Sequence, residues 1–240
     1  MKKRLLFAML LAAIAGMGLA SCNNQPEKKI GQEPTFNEDQ PAQLVANKAA
    51  AISPADARAL VIANLQTAFA GETTASAKYA AYSKKAEAEG HPKIALLFKA
   101  ASASEKVHAN NHRAALEEMG EAVSKVSPEF TVKTTKENLE DAIAGESYEI
   151  STMYPEFLAN AAKADMQMAL LSLNYAYKTE QKHKPLYEKA LAALQNSQED
   201  SLAGRYFVCP TCGNTYDGAA PKRCGISMTS GERFVEINSL

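Results

Sequence analysis

The chain has 240 residues, and its 26 Lys and Arg against 27 Asp and Glu leave a net charge of −1, which argues against a nucleic-acid binder because such a protein needs a basic excess. A hydrophobic content of 46% allows a packed core, while few Gly and Pro and long Ala-rich stretches favour helices over an all-β fold. Four cysteines are too few for a disulfide scaffold of this size. We therefore expect a mainly α protein with no nucleic-acid partner.

The N-terminal segment predicts targeting. Three cations at residues 2–4 precede an uncharged apolar run, 5–19, which is shorter than the roughly 20 residues that a membrane span requires. The run ends in Ala20-Ser21-Cys22, which resembles a bacterial lipoprotein signal and implies cleavage before Cys22 and lipidation of its thiol. The alternative is a plain signal peptide with a chance cysteine. We expect residues 1–21 to be the signal peptide, residues 22–52 a flexible tether, and the mature protein to be membrane-anchored outside the cytoplasm, facing the periplasm.

Four helical segments follow. Ser53 and Pro54 form a helix start, and Thr134 with Glu137 forms a capping box. Two helix pairs joined by a longer connection at 120–133 predict a four-helix bundle over residues 53–200. Pro185 lies inside the last helix and predicts a kink beside His183. The predicted helices cover 54–89, 92–119, 135–164 and 166–194.

The two halves of this region repeat each other. Residues 68–72, Ala-Phe-Ala-Gly-Glu, recur as Ala-Ile-Ala-Gly-Glu at 142–146. The Glu-x-x-His motif of residues 105–108 recurs at 180–183. Each half is therefore expected to be one helical hairpin that contributes similar groups to the bundle.

Each predicted helix carries a carboxylate on an otherwise apolar stripe, at Glu72, Glu105, Glu146 and Glu180. A solvated charged face does not explain these positions, and several unpaired buried carboxylates would cost more than a typical domain's net stability. A bound cation resolves the conflict. One Glu from each of two helices, with Glu-x-x-His from the other two, is the donor pattern of a di-iron carboxylate bundle.

Residues 56–194 resemble the ferritin-like domain of the rubrerythrins. The resemblance rests on the two Ala-Gly-Glu elements, the two Glu-x-x-His pairs, Glu149 and the stretch Met-Tyr-Pro-Glu-Phe at 153–157. It implies that His108 exchanges with Glu149 as a ligand when the redox state changes, and that Tyr79 and Tyr154 hydrogen-bond site carboxylates; these four residues are the expected catalytic groups. The metal ligands implied for two non-haem iron ions are Glu72, Glu105, His108, Glu146, Glu149, Glu180 and His183.

Two further histidines are not assigned to the metal site. His91 lies at a turn beside Pro92 and is expected to be solvated. His112 follows His108 by four residues, so a His-x-x-x-His metal pair is one alternative, but we expect it to be a partly exposed helix histidine.

The C-terminal residues 201–240 resemble the small rubredoxin-like β domain of the same family. Cys209, Cys212 and Cys224 match its metal-binding cysteines, but Ser227 stands at the fourth position. Three interpretations remain open: Ser227 binds an iron or zinc ion through its oxygen, water completes the site, or the domain is metal-free with Cys209 and Cys212 oxidised.

The resemblance implies a non-haem di-iron peroxidase that reduces hydrogen peroxide to water and protects the cell from oxidative stress. Electrons would come from an unidentified donor through the rubredoxin-like centre, across the interface of a homodimer. The alternatives are a ferritin-like iron oxidase and a non-catalytic metal-binding lipoprotein. Because Glu149 separates rubrerythrins from plain ferritins, it favours the peroxidase.

Overall fold

The computed structural model describes residues 53–240, so the signal peptide, the tether and Cys22 lie outside the described residues. This part of the chain is mostly helical and ends in a small sheet. Within it, no helix combines the length and the apolar character that crossing a membrane requires. The helices are α1 (Pro54–Ala88), α2 (Pro92–Glu118), α3 (Thr135–Tyr148), α4 (Tyr154–Lys163) and α5 (Gln167–Gln195), with a π-helical turn (Glu149–Met153) between α3 and α4.

The helix starts follow from their capping residues. The Ser53 hydroxyl accepts a hydrogen bond from the Asp56 amide at 3.1 Å. Thr134 and Glu137 satisfy each other's backbone amides, which confirms the capping box. The predicted boundaries agree with the structure to within one residue, except that the third helix is divided in two.

The π-helical turn interrupts the predicted third helix three residues after Glu146 and begins at Glu149. Its extra residue is accommodated by a bond from the Tyr154 amide to the Glu149 carbonyl, one residue longer than an α-helical bond. Pro155 occupies the first turn of α4, where its missing N–H costs nothing. Helix α5, in contrast, continues through Pro185 without a break, so the kink predicted there does not interrupt the helix.

The bundle core consists of two apolar clusters at its two ends. One includes Phe98, Leu139 and Tyr187 and extends to Tyr206 and Val208 of the C-terminal sheet. The other joins the start of α1, the end of α2, α4 and the start of α5. The middle of the bundle, between these two clusters, is therefore left for the polar residues.

The C-terminal sheet is antiparallel with the strand order β2-β1-β3. Strand β1 pairs with both neighbours, and Phe207 lies opposite Tyr216 on one side and Glu236 on the other. The three cysteines form a separate buried cluster, against which Tyr175 of α5 packs. The strands are β1 (Tyr206–Val208), β2 (Thr215–Asp217) and β3 (Val235–Ile237).

Candidate metal centre

Four helices bring their carboxylates to one buried point in the middle of the bundle. Glu72, Glu105, Glu146 and Glu180 are each at most 2% exposed. Together with His108 and His183 they form two groups of four potential ligands, which share Glu105 and Glu180. The first group adds Glu72 and His108, and the second adds Glu146 and His183.

The two histidines aim the same nitrogen at the carboxylates. His108 Nδ1 lies 2.9 Å from one oxygen of Glu105 and 2.9 Å from one of Glu180. His183 Nδ1 lies 2.8 Å from Glu180 and 3.1 Å from Glu105. His183 is therefore directed into the site despite the proline two residues later in α5.

The buried ligand atoms fit metal ions. Both oxygens of Glu105 and Glu180, Oε2 of Glu146, and Nδ1 of His108 and His183 are buried and make no hydrogen bond of acceptable geometry in the described residues, although the two Nδ1 atoms lie within 3.1 Å of carboxylate oxygens. Such atoms are costly unless a cation binds them. Carboxylate oxygens with imidazole nitrogens suit iron or manganese, so the site can hold two such ions with Glu105 and Glu180 between them.

The electrostatics of the metal-free cluster reflect crowding of like charges. Burial and the neighbouring carboxylates raise the pKa of Glu146 well above its usual value. Burial opposes the ionised form of Glu180, but the adjacent His108 and His183 outweigh it and lower the pKa of Glu180 to about 2. For His183, burial lowers the pKa, yet Glu105 and Glu180 prevail and raise it to about 10. The cluster thus retains protons that divalent metal ions would displace.

Glu149 lies outside both groups. It is half-buried at the start of the π-helical turn, and burial together with Glu72 and Glu180 raises its pKa well above the usual range. His108, the residue expected to exchange with it, lies within the first group instead. The structure therefore places His108 at the site and Glu149 beside it.

Two tyrosines bind site carboxylates, as predicted. The Tyr79 hydroxyl donates to Glu146 Oε1 at 3.2 Å, and the Tyr154 hydroxyl donates to Glu72 Oε1. Tyr187, four residues after His183, was missed although its helical spacing placed it on the same face; it is fully buried with its ring 6.2 Å from that of His183.

The expectations for the two other histidines were wrong. His112 is fully buried, because α4 and α5 cover its face of α2, and its ring nitrogens contact Ser172 and Tyr154. His91 is half-buried, and its Nδ1 lies 3.0 Å from the Glu199 carboxylate. Single-helix patterns do not reveal these three partners, since each lies at least 42 residues away in the sequence.

The cysteine cluster packs directly on the carboxylate site. The Nε2 atom of His108 lies 3.0 Å from the Cys212 carbonyl, and the Ser104 hydroxyl donates to the Gly213 carbonyl at 2.7 Å. The Nε2 atom of His183 lies 3.1 Å from the Thr215 hydroxyl. A proton on Nε2 of each ring satisfies these contacts and leaves Nδ1 for a metal ion.

The three cysteines are buried free thiols close enough to share one metal ion. The Ser227 hydroxyl lies 3.3 Å from the Cys209 sulfur, so it contacts the cluster. The pKa of Cys209 is lowered to about 4, chiefly because the Cys212 thiol donates to its sulfur, with a further contribution from Ser227. Three soft donors at this spacing suit iron or zinc.

The fold and these two centres define a class: a ferritin-like di-iron carboxylate bundle with a C-terminal cysteine knuckle, the loops that carry Cys209, Cys212 and Cys224. The rubrerythrin family model matches residues 63–191. Rubrerythrin-2 of Clostridium acetobutylicum is 30% identical over 71% of this chain and 92% of its own. Nigerythrin of Nitratidesulfovibrio vulgaris is 29% identical over 86% of this chain and 98% of its own. A solved structure of mixed-valence nigerythrin superposes with a TM-score of 0.67 at 30% identity, covering 73% of this chain and 86% of that one.

The chain belongs to the rubrerythrin family. Rubrerythrins and nigerythrins are di-iron oxidoreductases that reduce peroxide, and the family assignment therefore identifies this protein as a peroxide-reducing di-iron protein. The cysteine cluster fits the rubredoxin-like domain of the family.

Proposed function

We propose that the protein is a lipid-anchored peroxidase of this family whose own knuckle passes electrons to its own di-iron site. The observation that carries this proposal is the contact between the two centres within one chain. The backbone carbonyl of Cys212, whose own sulfur belongs to the cysteine cluster, lies 3.0 Å from Nε2 of His108. Nδ1 of the same ring faces the carboxylates. This route lies within one chain and replaces the route across a homodimer interface that the resemblance implied; the homodimer itself stays a prediction.

The proposed ligands act by holding charge in a fixed geometry. Two ferrous ions, when bound, supply the two electrons that convert hydrogen peroxide and two protons to two water molecules. Glu105 and Glu180 belong to both groups of potential ligands and would hold both ions, while Tyr79 and Tyr154 hydrogen-bond Glu146 and Glu72 and would keep these carboxylates oriented. Glu149 and His108 are proposed to alternate as ligands at the position near Glu72.

The peroxidase activity is tested with iron-loaded, reduced protein and either peroxide or oxygen as the oxidant. We expect rapid consumption of peroxide and much slower consumption of oxygen. The double variant Glu72→Ala/Glu146→Ala loses this activity together with iron. The control Glu117→Ala/Glu118→Ala, which removes two exposed carboxylates from the same bundle, retains both. Faster turnover with oxygen than with peroxide would favour the iron-oxidase alternative.

The fourth position of the knuckle is proposed to be Ser227. Its hydroxyl is 3.3 Å from the Cys209 sulfur and also bonds the Thr229 hydroxyl at 2.9 Å, which fixes its direction. An oxygen ligand is harder than a thiolate, so we expect a weaker iron or zinc site than one with four thiolates. Metal analysis of the purified protein with its visible and Mössbauer spectra distinguishes this ion from the di-iron pair.

The lipid anchor and the extracytoplasmic location rest on the sequence of residues 1–22. Mass spectrometry of the mature protein tests them: the expected N-terminus is an acylated Cys22, recovered in the membrane fraction. The Cys22→Ala variant should be released or left unprocessed. Because cytoplasmic reductases cannot reach such a protein, the donor is expected to be another extracytoplasmic electron carrier.

A further inference from the structure

Among the buried histidines of the described residues, His112 is the one that the metal site does not use. It is fully buried in α2, one turn after His108, and belongs to neither group of potential ligands. Its Nδ1 lies 2.7 Å from the Ser172 hydroxyl of α5, and its Nε2 lies 3.3 Å from the Tyr154 hydroxyl of α4. Both nitrogens therefore face hydroxyl groups.

Hydrogen bonds join Ser172, His112, Tyr154 and Glu72 into one row. The hydrogen atoms along this row have one consistent arrangement. Because the Tyr154 hydroxyl donates to Glu72, its oxygen accepts the hydrogen bond from His112, which places the ring proton on Nε2. Nδ1 then accepts from Ser172. Every donor in the row points toward Glu72.

The ring is neutral in this arrangement. Burial lowers the pKa of His112 to about 3, and the neighbouring His108 lowers it further while Glu180 opposes this effect. A neutral imidazole with one donor and one acceptor nitrogen can take a proton on one side and release another on the opposite side.

The outer end of the row opens to the surface. Ser172 lines a cavity of about 100 Å³ with the exposed side chains of Met168 and Leu171. Asn111 and Tyr175, on the same cavity, contact the knuckle: the Asn111 amide donates to the Thr211 carbonyl at 2.9 Å, and Tyr175 packs against the cysteines. The cavity thus lies where the knuckle docks.

Peroxide reduction requires protons at buried carboxylates. Each peroxide consumes two protons with its two electrons, while Glu72, Glu105, Glu146 and Glu180 lie between two apolar clusters with at most 2% exposure. We propose that Ser172, His112 and Tyr154 form a proton relay from the surface cavity to Glu72. This inference rests on the peroxidase function and adds a supply route to it.

One transfer along the relay balances as follows. Ser172 takes a proton from a hydronium ion in the cavity, which becomes water, and gives its own to His112 Nδ1; His112 releases its Nε2 proton to Tyr154, and Tyr154 passes its hydroxyl proton to Glu72. Each of the three relay residues ends neutral, and one proton has entered the site. The His112 proton is then on Nδ1, so the ring must return to its starting tautomer before a second proton follows. The electrons come from the iron of the established reaction, so the relay needs no other reductant.

Variants at His112, in the middle of the relay, and at Ser172, at its outer end, test the relay. In His112→Gln an amide replaces the ring; it can keep a hydrogen bond but does not exchange protons readily. We expect the peroxide step to slow about a hundredfold or more, the scale of general acid–base effects, with KM nearly unchanged and a larger solvent isotope effect. Ser172→Ala should slow the peroxide step in the same way. Ser172→Thr should keep the wild-type rate because it keeps the hydroxyl. His91→Gln is the matched control and should match the wild type.

A second readout does not depend on turnover. In the zinc-loaded protein, ¹⁵N NMR should show His112 as a neutral ring with its proton on Nε2. A charged ring or a proton on Nδ1 contradicts the proposed direction. Iron content and visible spectra of all variants establish that the metal site is intact.

The relay is refuted if His112→Gln and Ser172→Ala hold full iron and react with peroxide at the wild-type rate. If His112→Gln loses iron, the Ser172→Ala and Ser172→Thr pair decides, since Ser172 touches no proposed ligand. Equal rates for that pair refute the relay. Wild-type protein that consumes no peroxide contradicts the peroxidase function itself, which is a separate outcome.

Discussion

The contact between the knuckle and the di-iron site depends on the absence of a side chain at Gly213. This residue has φ +80°, and a Cβ atom added there would overlap His108 Nε2 and lie 2.8 Å from the Ser104 hydroxyl. The His108 ring cannot retreat, because Glu105 and Glu180 lie 2.9 Å from its other side. In Gly213→Ala the knuckle must therefore move away from the bundle.

The expected size of the effect has two parts. The positive φ costs about 1–2 kcal/mol for an L-residue. Overpacking against a buried ring adds about 1–3 kcal/mol. Gly218 provides the control, since it has φ +76° with nothing within 4 Å of an added Cβ. Gly218→Ala should show the first cost alone, and the difference between the two variants, about 1–3 kcal/mol, measures the steric conflict.

Two assays examine this prediction. Urea unfolding of the metal-loaded variants gives the stability difference. Stopped-flow measurement of electron transfer from the reduced knuckle to the oxidised di-iron site should be slower in Gly213→Ala, because the 3.0 Å contact between Cys212 and His108 lengthens. If Gly213→Ala and Gly218→Ala agree in both stability and transfer rate, the knuckle does not dock as the structure shows.

Two further predictions concern the metals and pH. Ser227→Cys should bind iron or zinc at the knuckle more tightly than the wild type, and Ser227→Ala more weakly, in competition with a chelator; no difference among the three contradicts a ligand role for Ser227. In metal-free protein, the pKa of His183 is raised from 6.5 to about 10, so its stabilising contribution is full below pH 6.5 and is lost as the pH rises through 10. Denaturant titrations in chelator should show this fall, and metal-loaded protein should not, because metal ions replace the protons.

Local spacing explains why much of the site could be predicted from the sequence. The i, i+3 relation of Glu105 with His108, and of Glu180 with His183, fixes each pair on one helix face in any helical fold. The repeat then indicated that the two hairpins contribute equivalent groups. Helix boundaries were accurate for the same reason, since caps and apolar periodicity act within a few residues.

The errors occurred where a distant element determines the environment. His112 was expected to be partly exposed, but Ser172 and Tyr154, 60 and 42 residues away, bury it and bind both nitrogens. The π-helical turn was also missed. Its signal, a proline just after the site carboxylates, does not distinguish an α-helix from a turn with one extra residue.

The sequence by itself determined the donor types, the helices that carry them and the missing thiol at Ser227, because these depend on residue identity and short-range spacing. Only the tertiary structure decided that the knuckle of the same chain rests on the histidines and that His108 joins a group of potential ligands while Glu149 lies outside both groups. It also aligned Ser172, His112 and Tyr154. Such relations arise when separate helices pack, and side-chain packing between elements far apart in the chain leaves no periodic signal in either one.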